Sequence, residues 1–218
     1  MTVNANDITV TMNGRTMVFP DVSLLYSFVM HARFPVAQSN AALRIVDVGG
    51  CVGGFTLASM LNFPNSNFDV IEPWRACFPY LEQNLGHMPN VRLHRVAVSD
   101  KRKMLTLSLQ ANFTKMGQAS AYGEGISAEQ VNAVPLDDLI RGRVDVLKVD
   151  VEGYEYAVLE GAYRILREWH PSLLVEIKEN HLQRAGHSKA KLIRYLTDLG
   201  YSTPEEIGYD YWFVWGEQ

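Results

Sequence analysis

The stretch Arg44-Ile45-Val46-Asp47-Val48-Gly49-Gly50-Cys51-Val52-Gly53-Gly54-Phe55-Thr56 constrains the fold more than any other part of the chain. An apolar, β-branched run breaks into four glycines within six residues, and a helical apolar pattern starts at once. Ile45, Val46 and Val48 read as a strand buried on both faces, as at the centre of a parallel sheet. Glycine admits positive φ and lets another group approach the backbone without a Cβ in the way. The turn is predicted to present free backbone N–H groups at a helix N-terminus, suited to a polar or anionic ligand edge. A tight structural turn is the alternative. The pairing of Asp47 with the glycine cluster favours a nucleotide-type site.

Spacing narrows the ligand. The dinucleotide fingerprint G-x-G-x-x-G fails at Cys51, and no Gly-Lys-Ser/Thr follows to make a P-loop. What remains is D-x-G-x-x-x-G, an acidic residue before a relaxed glycine turn. That pattern suits S-adenosylmethionine, which has no pyrophosphate and carries a sulfonium and an ammonium that a carboxylate can face. Phe68-Asp69-Val70-Ile71 is predicted as the next strand, ending at Glu72-Pro73. An acid about 20 positions past a glycine turn, at a strand's carboxyl end, can take both ribose hydroxyls, and Glu72 sits there.

The chain otherwise alternates strand and helix from Arg44 to Gly200, predicting an α/β, Rossmann-like, mostly parallel sheet with helices on both faces. A helix is expected through Trp74, Cys77, Phe78, Leu81 and Leu85, then a strand over Val91–Val96. The turn Ala97-Val98-Ser99-Asp100 would flank an adenine in such a sheet. Met104–Leu109 reads as an extra strand. Residues 110–130, polar and glycine-containing, read as a long active-site lid. Val144–Gly153 is the fourth strand, with Lys148, Asp150 and Glu152 projecting to one side while it stays extended. One helix follows through Val158 to Trp169, then a fifth strand over Ser172–Lys178, with His181 just beyond. Leu192 to Leu199 gives another helix, and Tyr201–Ile207 with Asp210–Trp215 close the chain as an antiparallel pair. Asp47, Glu72, Asp150, Glu152 and Glu176 all fall at or near strand carboxyl ends, where open α/β sheets bind ligands.

Residues 1–40 are read as an appendage to a domain spanning 41–218. It comprises a hairpin around Asn13-Gly14 and a helix capped by Asp21 through Leu24, Leu25, Phe28 and Val29. The net charge of −4 advertises no nucleic-acid or membrane partner, although Arg92, Arg95, Lys101, Arg102 and Lys103 crowd one stretch. Cys51 and Cys77 cannot build a disulfide framework. The first residues resemble no signal peptide, so a cytoplasmic location is expected.

The pattern resembles a class I S-adenosylmethionine-dependent methyltransferase of the FkbM family. The matching segments are Val46-Asp47-Val48-Gly49 with Gly53, Phe55 and Thr56; Ile71-Glu72-Pro73; Val96–Asp100; Pro135–Leu139; Leu147-Lys148-Val149-Asp150-Val151-Glu152-Gly153; and Val175-Glu176-Ile177. The family usually reads Ala-Asn where this chain has Gly50-Cys51, and Tyr154 stands where a small residue is common. The resemblance implies a seven-stranded sheet with a reversed last strand and methylation of a hydroxyl on a small molecule or sugar. It implies a cofactor site of Asp47, Gly49, Gly50, Cys51, Gly53, Phe55, Thr56, Glu72, Pro73, Ala97, Val98, Asp150 and Glu152. For catalysis, Asp150 is the first choice on the acceptor side, with Glu176 and His181 as base or metal ligands. Lys148 would steady a developing oxyanion or pair with Asp150 or Glu152. A divalent metal on Asp150, Glu176 and His181 is not favoured. An RNA ribose 2′-O-methyltransferase and a non-catalytic S-adenosylmethionine-binding subunit are the rival readings.

Overall fold

The computed structural model describes residues 8–12, 15–19, 41–109, 119–121 and 127–216. Its centre is the predicted strand, β3 (Arg44–Val48), whose side chains alternate between two cores. Val46 and Val48 face one core and Ile45 the other. β4 (Asn67–Ile71) and β5 (Val91–His94) lie to one side of it. β10 (Val146–Val149) and β11 (Ser172–Glu176) lie to the other, all parallel. β13 (Asp210–Phe213) runs antiparallel to β11, and β12 (Glu205–Ile207) antiparallel to β13, giving the order β12-β13-β11-β10-β3-β4-β5. The reversed strand and seven-stranded sheet agree with expectation. Progression changes direction between β3 and β10, and a crevice at that switch point is where such sheets place ligands.

The two faces are covered by different helices. α1 (Gly54–Asn62) and α2 (Phe78–Leu85) pack Phe55, Leu57, Ala58, Leu81 and Leu85 on one face. On the other lie α3 (Leu136–Leu139), α4 (Glu155–Glu160), α5 (Tyr163–Trp169), α6 (Glu179–Arg184) and α7 (Lys189–Leu199). None of the described helices is long and apolar enough to cross a membrane.

The predicted hairpin is present as β1 (Ile8–Met12) and β2 (Arg15–Phe19), paired antiparallel. Met17 and Phe19 are buried in the same cluster as α1 and α2. Asn84 of α2 fastens β2 by accepting from the Val18 amide (2.8 Å) and donating to the Val18 carbonyl (3.0 Å). The same amide group donates to the Val52 carbonyl (2.8 Å), inside the glycine turn. The Asn13-Gly14 turn and the helix expected from Asp21 lie outside the described residues.

Three expectations need correction. The strand read as Val91–Val96 ends at His94, and Ala97–Val98 opens a second sheet as β6. That sheet has the order β6-β9-β7-β8, with β7 (Lys103–Leu109), β8 (Ala119–Ser120) and β9 (Ser127–Val134). The end of the stretch read as an irregular lid is therefore strand, paired with β7 from Ser127 onward. Residues 110–118 and 122–126 lie outside the described residues. Finally, the helix expected through Trp169 is broken at Gly161. A Cβ there would stand 2.0 Å from the Ser99 carbonyl oxygen, so the second sheet docks through the gap between α4 and α5.

Candidate active site

Buried charge organises the carboxyl ends of β3 and β10. Asp47 is fully buried and accepts a hydrogen bond from the Thr56 hydroxyl of α1 (2.8 Å). Lys148, one strand over in register with Asp47, places its Nζ 3.3 Å from Asp47 and 3.4 Å from Asp150. It also donates to the Gly49 carbonyl (3.1 Å). Burial works against the ammonium, but the two carboxylates outweigh it and hold the Lys148 pKa well above the lysine range. Lys148 thus takes the pairing role, to Asp47 and Asp150 rather than to Glu152.

The glycine turn is fixed from several sides. Gly49 adopts φ +84, and a Cβ there would fall 1.8 Å from the Asp150 carbonyl oxygen. The Gly49 and Gly50 amides both donate to the Ile71 carbonyl (2.9 and 3.1 Å), and Gly53 donates to Gly50 (2.7 Å). The Cys51 amide donates to Glu72 (2.9 Å). The amides of Gly49, Gly50, Cys51 and Gly53 are therefore committed within the chain. Glu72 also accepts from the Trp74 amide (2.7 Å). Burial pushes its pKa up to about 7, although both amides favour the ionised form. Beside this segment a cleft of about 310 Å³ is lined by Trp74, Arg75, Ala76, Ala128 and Glu129.

A second ionic group forms beyond β10 and β11. The strand stops at Val149, and Glu152 sits at φ +55. Its carboxylate thereby turns away from Lys148 toward Lys178 (3.7 Å) and His181 Nδ1 (2.9 Å, poorly aligned for a hydrogen bond). That corrects the common-side projection expected for Lys148, Asp150 and Glu152. Lys178 lies 2.7 Å from Glu176. Burial, then the charges of Asp150 and Glu152, raise the Glu176 pKa well above the carboxylate range. Among the described residues Glu152, Glu176 and His181 converge closely enough to hold a cation, and Asp150, considered with Glu176 and His181 for a metal that is not favoured, is not in that group. The Lys178 ammonium already supplies positive charge there.

A match to the pattern of the FkbM methyltransferase domain runs over residues 47–203. The chain belongs to the FkbM methyltransferase family. It is 28% identical over 144 residues to Methyltransferase 1 of Beauveria bassiana (strain ARSEF 2860), across 54% of this chain and 57% of that protein. The FkbM methyltransferase of Methylobacillus flagellatus KT superposes with a TM-score of 0.63 at 15% identity, covering 87% of this chain and 48% of its own. TYW2 of M. jannaschii, solved in complex with AdoMet, shares the fold with a TM-score of 0.51 at 11% identity, covering 98% and 86%. The chain therefore spans about half the length of the first two.

Of the positions attributed to an FkbM cofactor site, Asp47, Gly49, Gly50, Cys51, Gly53, Phe55, Thr56, Glu72 and Pro73 fall in one neighbourhood around the glycine turn. Ala97 and Val98 are buried strand residues of the second sheet, and Ala97 packs with Trp74 and Cys77. Asp150 bridges the glycine turn to the acid cluster, while Glu152 stands with His181. Two contributors were not foreseen from the sequence, and a third, Tyr154, was singled out there only as a departure from the family pattern. Lys178 carried a usable signal, because it lies two residues beyond Glu176 where an extended chain repeats its direction. Glu155 accepts from the Gly153 and Val151 amides (2.9 and 3.2 Å) and so shapes the turn after Asp150. Tyr154 is buried, with its hydroxyl 3.1 Å from Ser99 Oγ.

Proposed function

We propose that this FkbM domain transfers a methyl group from S-adenosylmethionine to a hydroxyl of a small molecule or carbohydrate. The observation that carries the reading is Lys148, buried between Asp47 of the cofactor turn and Asp150 of the acceptor side. It couples the two halves of the crevice through one buried cation. When bound, S-adenosylmethionine supplies an electrophilic methyl carbon. Asp47 contributes negative charge beside the glycine turn, and Glu72 offers acceptor oxygens to a ribose. Asp150, the most exposed of the clustered acids at 26%, orients the acceptor hydroxyl. A hydroxyl is a poor nucleophile until its proton is drawn off by a placed base. Glu176 takes that proton, because burial and its acidic neighbours make it more basic than an ordinary carboxylate. Alignment of the two reactants contributes much of the remaining acceleration.

An RNA acceptor is less well supported. Arg95 and Arg102 face Glu129 and Asp138, and Lys101 and Lys103 share Asp100, so three carboxylates offset most of the charge that the five basic residues from Arg92 to Lys103 would offer phosphates. The test is calorimetric titration of S-adenosylhomocysteine into wild type and into an Asp47→Asn/Glu72→Gln double variant of matched circular dichroism. Loss of binding in the variant is expected. Equal affinity in the two proteins overturns the assignment.

A further inference from the structure

The glycine turn carries a thiol whose side chain the proposed reaction does not use. Cys51 is half-buried, in the left-handed conformation (φ +49), and its Sγ lies 3.5 Å from Sγ of Cys77. One hydrogen-bonded unit holds the pair together. The Cys51 amide donates to Glu72, Glu72 accepts from the Trp74 amide, and the Cys77 amide donates to the Trp74 carbonyl (3.1 Å). Cys77 is buried with Trp74, Ala97, Leu107, Val131 and Ala133, an apolar setting, and Cys51 packs against that cluster.

We propose that Cys51 and Cys77 form a modification site: a dithiol that a hydroperoxide oxidises to an intrachain disulfide, weakening the adjoining adenosyl site. The second half rests on the S-adenosylmethionine reading. Disulfide sulfurs stand about 2.05 Å apart, so closure asks for about 1.5 Å of approach. Cys51, the more exposed sulfur, attacks a peroxide oxygen. The S–O bond forms, the O–O bond breaks, and with hydrogen peroxide the departing oxygen leaves as water. Cys77 then displaces the hydroxyl from the sulfenic sulfur. The S–S bond forms, the S–O bond breaks, and the hydroxyl leaves as water with the Cys77 proton. Two thiols lose two electrons and two protons, and the peroxide is reduced to two waters.

The approach cannot be shared along the turn. Gly49 and Gly50 are anchored to the Ile71 carbonyl, and Gly50 is pressed so close to Val70 that a Cβ would stand 2.3 Å from its methyl. Val52 and Gly53 are held in turn by Asn84 and by the Gly50 carbonyl, so the displacement falls on Cys51 and on the Glu72–Cys77 segment, where the amide-to-carboxylate contact that sets the ribose acid is made.

The test uses the full chain, reduced, treated with hydrogen peroxide and then re-reduced with dithiothreitol. Intact mass, non-reducing peptide maps and S-adenosylhomocysteine titrations are taken at each stage. The expected result is loss of two hydrogens, a Cys51–Cys77 linked peptide, and affinity that falls at least about tenfold and returns on reduction. By linkage, saturating S-adenosylhomocysteine shifts the pair's equilibrium with glutathione toward the dithiol by the same factor. Cys77→Ala should show neither the mass loss nor the change in affinity. Thiols that survive, oxidation without a Cys51–Cys77 link, or a linked protein with affinity within about twofold of the reduced form each overturn the proposal. A reduced protein that binds no S-adenosylhomocysteine fails the adenosyl reading instead, and the peptide map still decides the dithiol.

Discussion

Glu155→Gln should gain in stability relative to the wild type as pH rises. Glu155 opens α4 at 1% exposure, and its Oε1 accepts from the amides of Val151 and Gly153. Oε2 is buried without a hydrogen-bond partner among the described residues. Burial pushes the carboxyl from 4.5 up to about 7. A raised pKa means the folded state holds the proton more tightly than the unfolded chain. The stability this contributes is complete below pH 4.5 and is lost as pH rises through 7. Linkage between those values gives a loss of roughly 2–3 kcal/mol from about pH 5 to pH 8.5. Glutamine keeps an oxygen for the two amides and does not titrate, so the variant escapes that loss. A constant offset of about 1–3 kcal/mol arises if its amide nitrogen meets no acceptor, and the pH dependence of the difference is free of it. Urea unfolding of both proteins across this range measures the quantity. A difference between them that stays constant within about 0.5 kcal/mol would refute the argument that Glu155 is forced to ionise in a buried site.

Gly49→Ala should cost at least about 3 kcal/mol in urea unfolding and abolish S-adenosylhomocysteine binding, since it adds a left-handed strain to a backbone clash. Lys148→Met should cost about 3–5 kcal/mol near neutral pH, because Asp47 loses the cation buried against it. Thermal melts of both proteins at neutral pH measure the loss, and equal stability would refute the pairing. Turnover should rise with pH from neutral into the alkaline range as Glu176 sheds its proton. In Glu176→Gln that limb should be absent from the kcat profile, and an unchanged limb would place the base elsewhere.

The large sheet was legible because its strands are apolar runs closed by glycine or charge, as at Val46–Gly49 and Leu147–Gly153. The second sheet was not. β9 runs through Ser127, Glu129, Gln130 and Asn132, and with much of one face exposed it lacks the apolar run that marks a buried strand. The single helix expected through Trp169 followed from a continuous apolar stripe. The break falls at Gly161, where the Ser99 carbonyl approaches, a contact no local pattern encodes. In the candidate site, Asp47, Glu72 and Asp150 could be found by position relative to strand ends. The partner each acid takes depended on backbone rotation at single residues, as when φ +55 at Glu152 directs its carboxylate to His181 instead of Lys148. Proximity of the two thiols was hidden for the same reason, since nothing local to either cysteine specifies it.

Asn84 sets a practical boundary for anyone who trims or transplants this domain. Its one carboxamide serves both the hairpin and Val52, so a fragment opened at residue 41 would leave a buried amide group half-satisfied and bare the apolar flank over Phe55 and Leu81. Such a fragment would keep every residue of the catalytic crevice and still be the wrong cut. The smallest transferable cassette starts at the hairpin, upstream of the match to the family pattern.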